Sequence, residues 1–160
     1  MRLIIAAVGR MKAGPERELL ERYLSRARAL SRGLGIVALD LVEVEEGRGR
    51  SAAERRREEA TALAGRFAPG VTIILLDERG HSRPSVAFAE RIGKLVTGGT
   101  PALALVIGGP DGFDDAFRSS ARELLSFGAA TMPHQLVRVV LAEQVYRALT
   151  ILSGHPYHRV

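Results

Sequence analysis

Four short apolar segments alternate along this chain with longer amphipathic ones, and this alternation limits the possible fold more than any other feature. The apolar segments cover residues 3–8, 36–44, 71–76 and 102–107. Strands that are apolar on both faces are typical of a parallel sheet covered by helices. Because a further short strand is expected near residues 124–127, the order of the segments predicts a layered α/β fold with helices on both faces of the sheet.

The amphipathic segments carry the signals that mark helix ends. Pro15 stands at a first helical position. Ser51 and Glu54 have the spacing of a capping box, so a helix is expected to start at Ser51. Asp114 is expected to open a short helix, and Gly154 to end the last one. The longer predicted helices cover residues 14–30, 51–67, 85–96 and 135–153.

Length and composition indicate one domain over residues 1–160. A chain of 160 residues can bury a core of its own, and no linker or internal repeat divides it. No apolar stretch approaches the roughly 20 residues that cross a bilayer, and the six apolar residues 3–8 are short for a signal peptide. Without cysteines there is no disulfide framework and no thiolate metal site. We therefore expect a cytoplasmic protein with neither a membrane nor a metal partner.

The last predicted helix is apolar around most of its circumference. Leu136, Val140 and Leu149 belong to one apolar stripe, and Val139 and Tyr146 extend the apolar surface beyond it. A helix buried on one side only has a cleaner polar face. Two interpretations remain open from this pattern: the helix lies inside the core of the protein, or it packs against a second copy of the chain in a homodimer.

The charge favours a polyanionic partner. The formal net charge is +5, and since only Lys12 and Lys94 of the 23 basic residues are lysine, 21 are arginine. Arginine offers a planar fork that matches phosphate groups. A coding bias towards arginine explains the ratio of arginine to lysine equally well, but the positive charge itself is a separate observation.

Three segments are expected to meet at the carboxyl edge of the sheet, where ligands bind in open α/β folds. Residues 108–112, Gly-Gly-Pro-Asp-Gly, directly follow a strand, and residues 75–80 and 126–134 end two others. The glycines permit a ligand to approach the backbone, although neither a dinucleotide fingerprint nor a Walker loop is present. Taken singly, each segment is also compatible with an ordinary connection between a strand and a helix.

The chain ends in Gly-His-Pro-Tyr-His-Arg-Val, residues 154–160. His158 can exchange a proton near neutral pH, Tyr157 can stack on a base, and Arg159 can bind phosphate. The same residues are also compatible with a solvated terminus. The apolar helix before them favours a functional tail, because that helix would anchor it.

Two segments carry a resemblance to a known family. "LVIGGPDG" and "MPHQLVRVVLAEQVYRALTILSGHPYHRV" resemble the ribosomal RNA large subunit methyltransferase H family of SPOUT, or α/β-knot, methyltransferases. The resemblance implies a trefoil knot in the C-terminal third, a homodimer, and S-adenosylmethionine bound in the knot. It also implies methylation of N3 of a pseudouridine in 23S ribosomal RNA of the large subunit, on the assembled ribosome.

The resemblance also assigns residues by position. It places Tyr157, His158 and Arg159 across the dimer, in the active site of the neighbouring protomer. Two positions depart from the family pattern: Asp111 stands where glutamate is common, and Gly128 where a side chain is common. The cofactor-binding residues that the resemblance implies are Leu76, Gly108, Gly109, Gly128, Ala129, Ala130, Thr131, Met132 and Pro133.

The implied reaction needs proton removal and charge stabilisation. The N3 imide nitrogen has to lose its proton before it attacks the methyl group of the sulfonium, and His158, a carboxylate or water is the expected acceptor. Arg147 and Arg159 are expected to stabilise charge on the base carbonyls. Two other hypotheses are an RNA-binding protein without catalysis and an enzyme acting on a small anionic substrate.

Overall fold

The computed structural model describes residues 1–158, which form a single α/β domain with five parallel strands. The predicted strands and helices are all present, with ends shifted by a few residues. The strands are β1 (Arg2–Val8), β2 (Ala38–Val44), β3 (Thr72–Ser82), β4 (Ala102–Ile107) and β5 (Glu123–Ser126). The α-helices are α1 (Pro15–Ser31), α2 (Ala52–Ala64), α3 (Ser85–Thr97), α4 (Asp115–Ser120) and α5 (His134–Ser153).

The strands lie in the order β2-β1-β4-β3-β5, and every neighbouring pair is parallel. Val8 is paired with Val44, and Leu76 with Ile107, so these strands end at the same edge. This carboxyl edge brings together Leu76, where the first half of β3 ends, and the loops that follow β4 and β5, as the sequence predicted.

Strand β3 is longer than predicted, because its second half pairs with β5 after a register shift between Leu76 and His81. The charged residues in the shift indicate a loop from sequence alone, since the pairing partner is distant in the chain. Gly80 lies within this segment, where a Cβ atom would come within 2.6 Å of the backbone of Leu124 and Leu125. Only glycine permits that approach.

Helices cover both faces of the sheet, as predicted, and each face has its own core. On one face, α1, α3 and α5 pack through residues such as Leu24, Ile92 and Leu141. On the other, α2 and α4 pack through Leu63 and Phe117. The alternating sides of each strand point into the two cores, which explains why the strands are apolar on both faces.

Burial within the protein accounts for most of the apolar surface of α5. The helix packs against both α1 and α3, and Leu141, Val145 and Leu149 are fully buried. Leu136, in the first turn, stays 44% exposed. The core interpretation of this helix therefore holds for its central part. The trefoil knot and the second copy of the chain remain predictions.

A buried ion pair fastens α5 to the sheet. Arg138 is 3% exposed and donates to Oε1 of Glu43 at 2.8 Å and to the carbonyl oxygen of Val8. Glu43 also accepts hydrogen bonds from Met11 N and Arg17. Burial lowers the pKa of Arg138, and the adjacent Glu43 carboxylate opposes that change. The first half of α5 is thus held next to the carboxyl ends of β1 and β2.

The local signals at helix ends act as the sequence predicted. The Ser51 hydroxyl accepts a hydrogen bond from Glu54 N, and the Glu54 carboxylate accepts one from Ser51 N, which completes the capping box of α2. Asp114 caps α4 through its side chain, and Gly154 ends α5 in the left-handed conformation. None of the helices within residues 1–158 has the length and apolar character needed to span a membrane.

Candidate active site at the carboxyl edge of the sheet

The register-shift segment of β3 and the loops after β4 and β5 surround a cleft of about 380 Å³. A volume of this size lies within the range of small-molecule sites. The loops after β4 and β5 line it largely with glycine and other small residues, and its charged residues are Asp77, Glu78, Arg79, Asp111 and Arg118. The lining residues are 76–79, 107–113, 118, 125–132, 134 and 137.

The loop after β4, residues 108–112, has glycine where no side chain fits. A Cβ atom at Gly108 would lie 3.1 Å from the ring of Phe113, and one at Gly109 would lie 2.7 Å from Oε2 of Glu59. Gly112 has a φ of +77°, which L residues rarely adopt. The structure thus explains all three glycines of this loop by local packing or backbone conformation.

Helix α2 holds the tip of this loop through an ion pair. Arg55 donates from Nε to Oδ2 of Asp111 at 2.7 Å and from Nη2 to Oδ1 at 3.2 Å. This bidentate hydrogen bond lowers the pKa of Asp111 and raises that of Arg55. The Asp111 carboxylate is thus engaged by the protein itself.

Glu59 connects the same loop to the segment after β2, and sequence reasoning missed it. It is 4% exposed, and its Oε1 accepts a hydrogen bond from Gly47 N at 2.9 Å. Its buried Oε2 has no partner among the described residues and faces Gly109. Burial raises the pKa of Glu59. Paired carboxylates on a helix usually lie in solvent, so no sequence signal distinguished Glu59 from Glu58.

An ion pair closes the cleft on the β3 side. Arg118 of α4 donates from Nε to Oδ2 of Asp77 at 2.9 Å, and the Asp77 side chain is 6% exposed. The other oxygen of Asp77 accepts from Arg79 N. Both oxygens of this carboxylate are therefore engaged, and it forms part of the wall of the cleft.

The loop after β5 contributes backbone groups to the lining of the cleft. Residues 128–131 are exposed, and Gly128 has a φ of +112°. Its N–H is bonded to the hydroxyl of Ser126. The backbone groups of residues 129–132 have no hydrogen-bond partner among the described residues. N–H and C=O groups that face a cleft without partners are suited to a heterocyclic ligand.

Eight of the nine residues to which the resemblance assigned cofactor binding line this cleft; the ninth, Pro133, precedes α5 and is absent from the lining among the described residues. The eight are Leu76, Gly108, Gly109, Gly128, Ala129, Ala130, Thr131 and Met132. The structure also brings Asp77, Arg118 and His134 to the cleft, none of which the resemblance assigned.

The expected catalytic side chains lie elsewhere. Arg147, Tyr157 and His158 are not part of the cleft lining in the described chain, and Arg159 lies outside the described residues. Tyr157 contacts Glu143, which is nine residues after His134 on α5. At a rise of 1.5 Å per residue, Glu143 lies about 14 Å along the helix from His134 and about 9 Å from Val137, the last cleft residue of α5.

Within one chain the tail packs against α5. The Tyr157 hydroxyl donates to Oε1 of Glu143 at 3.2 Å, and the ring lies 4.6 Å from that of Tyr146. Arg147 donates to the same Glu143 oxygen at 2.6 Å, and its guanidinium lies 5.1 Å from the centre of the Tyr157 ring. Burial, a hydrogen bond with Tyr23 and the Glu143 carboxylate raise the pKa of Tyr157 to about 12. Nδ1 of His158 is buried without a partner among the described residues.

No group of three metal-ligating side chains lies together within residues 1–158. The histidines of the tail and of α5 are thus not gathered into one cluster in the described part of the chain. His134 lines the cleft, whereas His155 accepts a hydrogen bond from Tyr157 N in the tail.

Comparison with known proteins identifies the family. A family model described as "Predicted SPOUT methyltransferase" matches residues 1–158. Two curated relatives carry the name "Ribosomal RNA large subunit methyltransferase H". One, from Methylobacterium radiotolerans, is 56% identical over 160 residues, covering 99% of this chain and 98% of the relative. The other, from Mesorhizobium japonicum, is 54% identical over 159 residues, covering 99% of both chains.

A more distant similarity is to the crystal structure of the SpoU methyltransferase AviRb from Streptomyces viridochromogenes in complex with AdoMet. The TM-score is 0.41, with 13% identity over 96% of this chain and 61% of that chain. The family assignment depends instead on the full-length match and on identities above 50%. The chain belongs to the SPOUT methyltransferases, within the ribosomal RNA large subunit methyltransferase H family.

Proposed function

We propose that this protein transfers a methyl group from S-adenosylmethionine to N3 of a pseudouridine in 23S ribosomal RNA, on the assembled ribosome in the cytoplasm. Membership of the family supports the reaction class and the ribosomal RNA substrate. The cleft is the structural observation that carries the proposal, because the register-shift segment of β3 and the glycine-containing loops after β4 and β5 meet around a volume of about 380 Å³.

The residues of the cleft fit S-adenosylmethionine. Gly108 and Gly109 let the loop after β4 pack against Phe113 and Glu59, so that the loop lines the cleft without large side chains at these positions. Residues 129–132 present unpaired backbone groups that suit an adenine ring. Leu76 and Met132 add apolar surface. When bound, the cofactor supplies a methyl group on an electrophilic sulfonium. The protein positions it against the acceptor nitrogen, and such positioning supplies much of the acceleration.

A second copy of the chain would complete the site. The tail cluster lies about 9 Å along α5 beyond Val137, the last cleft residue of that helix, and none of its described side chains lines the cleft of the same chain. We propose a homodimer in which Tyr157, His158 and Arg159 of each protomer lie next to the cleft of the other. Leu136, which is 44% exposed at the start of α5, supports a contact surface near the cleft.

In such a dimer, the tail residues and Arg147 of α5 would have different roles in the reaction. His158 takes the proton of N3, and its Nδ1 has no partner among the described residues. Arg147 and Arg159 stabilise negative charge on the base carbonyls. A pKa of about 12 keeps Tyr157 protonated at neutral pH, so its role is to stack on the base or donate a hydrogen bond, and not to remove a proton.

The direct test uses large subunits and 70S ribosomes from cells that lack this gene. Incubation with the purified protein and S-adenosylmethionine is expected to add one methyl group to one pseudouridine of 23S ribosomal RNA. Mass spectrometry of nuclease fragments locates it, and reaction with free rRNA serves as a comparison. Calorimetry with S-adenosylmethionine separates this function from RNA binding without catalysis. Absence of both heat and methylation would overturn the proposal.

A further inference from the structure

A short segment between β2 and α2 has an unusual construction. Residues 47–51, Gly-Arg-Gly-Arg-Ser, are here called the arginine loop. All five of its backbone N–H groups donate to carboxylates of α2, over distances of 2.7 to 3.2 Å. The acceptors are Glu54, Glu58 and Glu59. Five consecutive N–H groups bonded to three carboxylates fix the backbone of this loop against the helix.

The glycines of the arginine loop are required by the same packing. A Cβ atom at Gly47 would lie 2.6 Å from the backbone of Arg55, and one at Gly49 would lie 2.4 Å from Cβ of Glu54. Side chains at these two positions would push the loop away from the helix. The larger side chains of the loop therefore stand at positions 48 and 50, and both residues are exposed.

The side chains of Arg48 and Arg50 have no ion-pair partner among residues 1–158. Residues 45–59 contain five glutamates and five arginines, so the segment has no net charge. The charges are separated in space instead. Three of the glutamates face the backbone of the loop, whereas the two guanidinium groups are exposed to solvent.

The arginine loop lies next to the cleft. Glu59 bonds Gly47 of the loop and contacts Gly109 of the cleft, and Arg55 contacts both Gly49 and Asp111. Since β2 and β4 are two strands apart in the sheet, the end of β2 is about 10 Å from the cleft. A nucleic acid strand that enters the cleft passes within reach of long side chains at that distance.

We propose that Arg48 and Arg50 bind phosphate groups of the RNA backbone and so orient the substrate next to the cleft; this inference rests on the proposed function. The guanidinium fork matches phosphate geometry. Contacts to phosphate set the position and register of the RNA without reading its sequence. Because the backbone of the loop is already fixed, little conformational entropy is lost on binding.

The test replaces both arginines in Arg48→Ser/Arg50→Ser. The KM for ribosomes is expected to rise about tenfold, and the slope of log affinity against log salt to fall by about 1.5 to 2 for two lost contacts. The kcat at saturating ribosomes and the affinity for S-adenosylmethionine are expected to stay at the wild-type level. Arg48→Lys/Arg50→Lys, which keeps the charge but not the fork, should restore most of the salt slope.

Arg32→Ser/Arg66→Ser is the matched control. These arginines are also exposed and follow α1 and α2 at the opposite edge of the sheet. The substitutions in this control are expected to leave unchanged both the KM for ribosomes and the slope of log affinity against log salt. Equal effects of the two double variants would mean that only total charge matters, and would overturn the inference. So would an unchanged KM in Arg48→Ser/Arg50→Ser. Failure of the wild-type protein to methylate ribosomes would instead overturn the proposed function.

Discussion

The two halves of α5 differ in what they present. The first turn, with His134 and Val137, borders a cleft made largely of backbone and small residues. Farther along the helix, Glu143 and Arg147 form a cluster of polar and aromatic side chains with Tyr157 of the tail. Small residues with free backbone groups suit the binding of a cofactor, whereas titratable and cationic side chains suit proton transfer and charge stabilisation. Within one chain these two regions lie apart along the helix.

Two carboxylates show the same difference in detail. Glu59, beside the cleft, keeps one buried oxygen without a partner in the described chain. Glu143, beside the tail, accepts hydrogen bonds from Gln144, Arg147 and Tyr157 within residues 1–158. The carboxylate near the cleft excludes a side chain at Gly109, and the one near the tail orients its neighbours. Four substitutions test this comparison.

The largest effect is expected on stability, from Arg138→Leu. Removal of the guanidinium takes a donor from the Val8 carbonyl and leaves the part-buried Glu43 with only Met11 N and Arg17, and is expected to cost about 3 kcal/mol of unfolding free energy. Urea unfolding measures this change in the free energy of unfolding. Arg22→Leu, an exposed arginine of α1, is the control and should change stability by less than about 0.5 kcal/mol. A small loss in Arg138→Leu would mean that this ion pair does not fix the first half of α5.

Gly109→Ala is expected to weaken the binding of S-adenosylmethionine about 10- to 100-fold, because the new Cβ atom would displace either the buried Glu59 carboxylate or the loop itself. Gly33→Ala introduces the same atom where nothing lies within 4 Å and should leave the affinity unchanged. Calorimetry of both variants gives the comparison. Wild-type affinity in Gly109→Ala would show that this loop does not hold the cofactor.

Glu143→Gln is expected to lower kcat about tenfold, because the neutral amide holds Arg147 and Tyr157 more weakly than a carboxylate does. The affinity for S-adenosylmethionine should not change, since Glu143 lies outside the described cleft lining. Tyr157→Phe removes only one of these hydrogen bonds and should have a smaller effect. Loss of cofactor affinity in Glu143→Gln would contradict the separation of the two regions.

The smallest effect is expected on the pH dependence of the free energy of unfolding. Burial raises the pKa of Glu59 in the folded protein, so this carboxyl group binds its proton more tightly when folded than when unfolded. Its contribution to stability is therefore greatest below the unfolded pKa and is lost as pH rises through the folded pKa. Glu59→Gln should remove this dependence from urea unfolding followed upward from pH 4, whereas Glu90→Gln, at an exposed position, should retain it. Identical profiles for Glu59→Gln and wild type would contradict the assignment.

Much of the fold could be predicted because its signals are local. Apolar segments set the strands, and the Ser51–Glu54 capping box and Gly154 set helix ends. The meeting of residues 76–79 with the loops after β4 and β5 followed from the rule that parallel strands end at one edge. The second half of β3 was missed, because its pairing with β5 is not encoded in its own residues.

The parts of the site that the sequence did not reveal depend on contacts between distant residues. Glu59 and Glu58 are adjacent on α2, yet only Glu59 is buried against Gly109. Arg138 pairs with a glutamate 95 residues away. Periodicity reports which face of a helix is apolar, but not which polar group it meets. For the same reason, the distance between the tail and the cleft became evident only in the folded chain.

The central claim, that the cleft of one copy works with the tail of another, is tested by mixing two inactive variants. One copy carries Gly109→Val in the cleft, and the other ends at Gly154 and lacks the tail. Heterodimers isolated through two different affinity tags contain one intact cleft beside one intact tail, so about half of the wild-type methylation rate per dimer is expected. Heterodimers no more active than either variant alone would contradict the account.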